Sequence, residues 1–136
     1  ISRKSMLKTY TDAALLLGKK NMLIYSSDDG FDEVSTLEIT KAYIIKDGEI
    51  DLFFIDPSDF FEPFQLPEVS DGTEAVNLFL EGLKGENEQI SKAFAINTAV
   101  ALYLINKGDI KKHYQHAYDN IKSGNAYNKL LTLKEQ

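Results

Sequence analysis

The chain has 136 residues, 43% hydrophobic and 26% charged, with a formal net charge of −6. That length suits one domain with a core of its own, and the composition excludes a disordered chain. The acidic balance, with no lysine-rich face interleaved with aromatics, argues against a large nucleic-acid footprint, and the lack of cysteine excludes disulfides and thiolate metal sites.

The first element is a helix. Met6, Leu7, Tyr10, Ala14 and Leu17 recur at helical spacing, and Gly18 supplies the stop. Met22 to Tyr25 is a short continuous apolar run, the pattern of a strand buried on both faces. Ile39 to Ile45 and Ile50 to Ile55 are β-rich runs flanking Asp47-Gly48, which predicts a hairpin. Asp56-Pro57-Ser58-Asp59 ends its second strand.

From Asp71 onward the pattern is helical. Val76, Phe79, Leu80 and Leu83 form one apolar stripe, which Gly82 and Gly85 loosen at its end. Ala93 to Ile105 is the longest nearly apolar stretch, 13 residues interrupted by Asn97 and Thr98. A membrane span needs roughly 20, so the stretch predicts a core helix enclosed by other elements. Asp109 is placed to cap the next helix, with Tyr114, Ala117 and Ile121 inward and Gly124 at its end. A last short helix carries Leu130, Leu131 and Leu133. The fold expected is α/β: one buried strand, a β-hairpin and several helices. Its sheet is thin for so much helical apolar surface, so the piece reads as the second half of a larger α/β domain. The first residue is Ile1 rather than methionine, as in a fragment or a processed product, and no signal peptide is visible. A cytoplasmic setting is the expectation, in keeping with the lack of cysteine.

Between the first strand and the hairpin, residues 28 to 33 read Asp-Asp-Gly-Phe-Asp-Glu. Four carboxylates around one glycine repel one another unless water, basic groups or a cation relieves them. Hard divalent cations favour oxygen ligands, and Mg²⁺ takes one or two carboxylates plus phosphate oxygens of a substrate. The loop follows a strand, where open α/β sheets collect their ligands. A solvated turn is the commoner use of such a loop, and the residues by themselves leave both readings open. An EF-hand is excluded, because Gly30 and Phe31 break its alternating oxygen pattern.

Other polar residues read more simply. His113 and His116 lie three apart on a helix and read as surface or cap residues. Asn97 reads as a buried amide satisfied by neighbouring backbone. Tyr103, Tyr114, Tyr118 and Tyr127 read as core and boundary residues. Gly30 is expected in a turn conformation that sets the reach of Asp32.

Several motifs together resemble one family. Asp29-Gly30-Phe31-Asp32-Glu33-Val34-Ser35 resembles the Gly-x-Asp-Glu segment of anthranilate phosphoribosyltransferases. Asp47-Gly48-Glu49-Ile50 and Asp56-Pro57-Ser58-Asp59-Phe60 continue the similarity, and Ile96-Asn97-Thr98-Ala99-Val100-Ala101-Leu102-Tyr103 is similar to that family's Leu-Asn-Ala-Ala helix. Ile121-Lys122-Ser123-Gly124-Asn125-Ala126 resembles its closing Ser-Gly-x-Ala. The matches keep the family's order over nearly the whole chain.

The resemblance implies a three-layer α/β domain of the nucleoside phosphorylase/phosphoribosyltransferase type, here only its carboxyl-terminal portion. Members join anthranilate to phosphoribosyl pyrophosphate with release of pyrophosphate, in tryptophan biosynthesis. It also implies that Asp32 and Glu33 hold Mg²⁺ against the pyrophosphate, while Asp28 and Asp29 support the turn. No catalytic nucleophile is expected. Partners would be the two substrates, a preceding segment or companion chain, and a second copy in a homodimer of the full-length protein.

The chain also departs from the family pattern. Its glycine-rich Gly-Thr-Gly-Gly-Asp loop, its Lys-His-Gly-Asn-Arg segment and the helical region carrying its dimer contacts have no match here. Ser26-Ser27 stands where many relatives have His-Gly, and Phe61 follows Asp59-Phe60 where Gly is usual. The chain alone is therefore expected to be inactive. The competing expectation is a non-catalytic interaction or regulatory domain that kept the scaffold after losing the substrate site. Pyrimidine nucleoside phosphorylases share the architecture, but their motifs fit less well.

Overall fold

The computed structural model describes residues 1–134. After a 3-10 turn at Lys4–Met6 come α1 (Leu7–Leu16), β1 (Asn21–Ser27), β2 (Thr40–Lys46) and β3 (Glu49–Ile55). Four helices follow: α2 (Gly72–Lys84), α3 (Glu88–Asn106), α4 (Ile110–Lys122) and α5 (Asn125–Lys134). The three strands form one antiparallel sheet in the order β1-β2-β3. Asp47 and Gly48 close the β2–β3 hairpin with φ of 53° and 89°, the positive dihedrals of a tight two-residue turn.

The sheet is the middle of three layers. On one face Leu7 and Ala14 of α1 pack on Ile24 and Ile45. On the other, Ile55 and the half-buried Leu23, Tyr25 and Phe53 pack with Ala95, Ile96, Ala99 and Val100 of α3, and α4 adds Tyr114, Ala117 and Ile121. Burying one such isoleucine or leucine side chain is worth roughly 1.5–3 kcal/mol, so α3 is the main anchor of the domain.

Local chemistry sets the helix ends. Asp71 accepts from the N–H groups of Thr73 and Glu74 at the start of α2, and Asn87 accepts from Ile90 N–H at the start of α3. Asp109 caps α4 through Lys111 N–H at 2.9 Å, as its position predicts. Tyr114 contacts Phe60 and Phe61 just beyond β3, with ring centroids 5.3 and 5.8 Å apart. Tyr103 meets Phe53, Tyr118 stacks on Tyr114, and Tyr127 lies under the Lys84 ammonium, the boundary roles expected of these tyrosines.

Five expectations need correction. The strand buried on both faces is β2, which inserts Ala42 and Ile44 into one layer and Ile45 into the other; β1, with one neighbour among the described residues, keeps Met22, Leu23 and Tyr25 only half-buried. The inward face of α1 is Leu7, Thr11 and Ala14, leaving Tyr10 and Leu17 exposed. Leu80 and Leu83 of the α2 stripe are half-buried while Val76 and Phe79 are exposed, because α3 and α5 cover only part of that helix. Gly82 does not loosen α2. A Cβ there would lie 2.2 Å from Ile90 Cγ2, so the missing side chain is what lets α2 close on α3. The α3 helix, expected to be enclosed, is so only over its first two-thirds; Ile105 is 71% exposed. Among the described residues no helix is long and apolar enough to cross a membrane.

Candidate functional site

The acidic loop leaves the carboxyl end of β1 and re-enters the sheet at β2, so both of its ends are fixed by strand pairing. Inside it the carboxylates have different fates. Asp29 turns inward: its Oδ1 accepts from Ser27 Oγ and from Phe31 N–H at 3.0 Å, and its Oδ2 accepts from Ser35 Oγ at 2.6 Å. Partial burial alone would raise the Asp29 pKa, but the hydroxyls of Ser27 and Ser35 and the Phe31 amide outweigh it and hold the carboxyl below its ordinary value. Ser35 Oγ also accepts from the N–H groups of Leu37 and Glu38. Gly30, at φ 84°, makes the tight bend between Asp29 and Phe31.

Asp28 is paired at the surface with Lys4. Asp32 and Glu33 are exposed and, among the described residues, make no ion pair. Both lie close enough to the half-buried Tyr25 for their charge to add to burial in raising its phenol pKa. The loop thus spends two of its carboxylates on its own fold and leaves two free.

A second tie comes from far along the chain. Asn97 on α3 accepts from Val34 N–H at 3.0 Å and donates from Nδ2 to the carbonyls of Val34 at 3.3 Å and Ala93 at 3.0 Å. The amide is satisfied by backbone, as expected, but it is half-buried where burial was expected, and two of its three bonds go to the acidic loop. Val34 itself is buried. The residue directly after Glu33 is therefore held on both its N–H and its C=O.

Two clefts flank the loop. One of about 590 Å³ is lined by Asp29, Phe31, Ser35 and Leu37 on the loop side and by residues 65–69 opposite. The other, about 630 Å³, opens between α2, α3 and α4 and is lined by Glu33, Tyr25, Asn97, Thr98, His116 and Asn120 among others. His113 is not part of it: its Nε2 meets the Lys107 carbonyl at 2.6 Å and closes the turn between α3 and α4. His113 is thus a cap and His116 an exposed surface residue.

Among the described residues no group of three or more His, Asp or Glu side chains is arranged to hold a metal ion. Asp32 and Glu33 supply two hard oxygen donors that form no ion pair among the described residues, although the Ile1 ammonium lies 3.4 Å from the Asp32 backbone carbonyl, and that set suits Mg²⁺ when the remaining ligands are phosphate oxygens and water. Sequence reasoning singled out these two carboxylates but missed Ser27, Ser35 and Tyr25. Serines two residues before and six after Asp29 were the available signal for the first two; nothing local marked Tyr25.

Comparison with known proteins agrees with the fold. The model of the family described as "Glycosyl transferase family, a/b domain" matches residues 1–127. The chain is 34% identical to an anthranilate phosphoribosyltransferase of Pyrobaculum aerophilum over 99% of its own length and 41% of the relative's. To the enzyme of that name in Mannheimia succiniciproducens it is 31% identical, over 94% and 38%. It superposes on anthranilate phosphoribosyltransferase from Saccharomyces cerevisiae in complex with PRPP and Mg with a TM-score of 0.80 and 27% identity, covering 95% of this chain and 39% of that one. The chain spans about two fifths of the length of the curated relatives it matches. With the family model matched over nearly all of its residues, the chain belongs to the family described as "Glycosyl transferase family, a/b domain".

Proposed function

We propose that the chain is the carboxyl-terminal part of an anthranilate phosphoribosyltransferase, an enzyme that transfers phosphoribose from phosphoribosyl pyrophosphate to anthranilate and releases pyrophosphate in tryptophan biosynthesis. Asp32 and Glu33 are the Mg²⁺-binding carboxylates of that site. The observation that carries the reading is their placement: two adjacent, exposed carboxylates without an ion pair among the described residues, at the carboxyl end of β1, on a loop whose other acids are already engaged.

The chemistry fits what the chain offers. When bound, Mg²⁺ supplies positive charge against the departing pyrophosphate. The residues of the chain position and do not react: Asp29 shapes the turn, Asp32 and Glu33 present the oxygens, and no side chain is needed as a nucleophile. Recognition of anthranilate and of the phosphate groups falls to a preceding helical domain and a glycine-rich loop, or to a companion chain, and the active form is a cytoplasmic homodimer of the full-length protein. This chain alone is inactive.

The decisive variant is Asp32→Asn with Glu33→Gln in the full-length protein. Phosphoribosyl transfer to anthranilate should fall by at least about 100-fold, with the Mg²⁺ dependence displaced to higher concentration. Turnover with unchanged Mg²⁺ dependence would exclude the metal role. No change in melting temperature on adding Mg²⁺ with phosphoribosyl pyrophosphate to the full-length protein would favour a non-catalytic regulatory domain instead.

A further inference from the structure

Asn97 lies on α3, 63 residues beyond Val34 in sequence, yet it grips Val34 by both its N–H and its C=O. Both ends of its amide are engaged: the Oδ1 accepts one bond, and Nδ2 donates two, the second of them to Ala93 O one turn back on its own helix. That second bond fixes the side-chain rotamer against the rigid helix, so Val34 is held to a defined point on α3. From the other side the loop is held by the Asp29 carboxylate, through Ser27, Phe31 and Ser35. Asp32 and Glu33 are the two residues left between the Phe31 tie and the Val34 tie.

Resting on the cation reading above, we propose that Asn97 is a positioning residue for that site. Its side-chain amide holds the Val34 peptide so that Asp32 and Glu33 present their oxygens together before a cation arrives. Two flexible carboxylates must be ordered by the ion they bind, whereas a loop tied on both flanks has already lost that freedom. Partners that orient metal ligands in this way commonly contribute 10-fold or more to metal affinity. Cutting either tie widens the spread of loop conformations without removing a ligand oxygen.

The test is a Mn²⁺ titration of the full-length protein without substrate. Affinity is followed by proton relaxation of bulk water, and location by paramagnetic broadening of the amide signals of residues 31–34. Asn97→Ala should weaken Mn²⁺ by about 10-fold and reduce the broadening at those amides. Asn97→Leu, which keeps the side-chain volume, should do the same and serves if the alanine variant does not fold. Ile45→Val, a core change on the opposite face of the sheet, lowers the melting temperature but should leave Mn²⁺ affinity within about twofold, because additivity holds for separated sites. Unchanged affinity in both Asn97 variants, with Asp32→Asn still weakening the ion, overturns the positioning role and leaves the cation site standing. Equal weakening in Ile45→Val overturns it too, since general loosening would then suffice. If Asp32→Asn itself leaves affinity unchanged, the cation reading fails first and the inference falls with it.

Discussion

Asp29-Gly30 and Asp47-Gly48 are the same dipeptide with both glycines at positive φ, yet the two turns are built differently. At Asp47-Gly48 the flanking strands pair in register from Thr40↔Ile55 to Lys46↔Glu49, and backbone bonds alone shape the turn. At Asp29-Gly30 the flanks are not a regular ladder. The bend joins a backbone bond from Gly30 N–H to the Ser27 carbonyl at 3.2 Å with side-chain ties: Ser27 and Ser35 on the Asp29 carboxylate, and Asn97 on Val34. A turn of the first kind needs backbone bonds only, those of its own ladder and one from Asp47 N–H to the Lys20 carbonyl at 2.8 Å. One of the second kind adds side-chain ties, and its Asn97 tie exists only after α3 has docked on the sheet.

The difference is tested most strongly at Asn97. Asn97→Ala should cost about 2 kcal/mol in urea unfolding, because it strands the N–H and C=O of a buried residue. No substitution on α3 should disturb the hairpin turn comparably. A loss below about 0.5 kcal/mol would mean that water replaces the amide and that the two turns are equally local.

The two glycines come next. Space at both is open, with Ser2 O at 4.0 Å from a built Cβ at Gly30 and nothing within 4 Å at Gly48. Each alanine replacement therefore meets only the dihedral penalty, about 1–2 kcal/mol. Gly30→Ala and Gly48→Ala should match in thermal unfolding, while Gly30→Ala alone weakens Mn²⁺ binding. Equal loss of binding in both would erase the distinction between a structural and a functional turn.

Acid should act on the Asp29 turn with a smaller effect. Hydrogen bonds hold Asp29 below its ordinary pKa of 3.8, against the opposing pull of burial. A carboxyl depressed in this way stabilises the fold above the unfolded value and loses that contribution as pH falls through the folded one. Urea midpoints of the parent should exceed those of Asp29→Asn at neutral pH and converge with them below the ordinary carboxylate range. A constant difference across that range would show that the shift carries no stability.

The smallest effect belongs to the surface. Lys4 and Asp28 are both about half exposed, so Lys4→Ala should change stability by no more than about 0.5 kcal/mol, and less in high salt. A larger loss would assign Asp28 to the loop's framework beside Asp29.

Much of the fold was legible because its signals are short-ranged. Asp47-Gly48 predicts its hairpin, Asp109 its helix start, and Gly124 its helix end, each through atoms within four residues. The four-carboxylate cluster likewise points to residues 28 to 33. The division among those acids was legible only in part: the resemblance separates Asp32 and Glu33 from Asp28 and Asp29, but Lys4 and the two serines that occupy the latter pair are geometric facts. Periodicity misplaced the buried face of α1, since Tyr10 and Thr11 fit the helical spacing equally well and the sheet chose Thr11.

By itself the sequence determined where the chain turns, where its helices start and stop, and where its acidic loop lies, because those depend on dihedral limits and caps that act over a few residues. Tertiary structure alone decided that β2 and not β1 is central, that Gly82 joins two helices instead of loosening one, and that Asn97 reaches a loop 63 residues away. Those outcomes are set by which surfaces meet when the layers close, and no local pattern encodes which distant backbone a side chain will find.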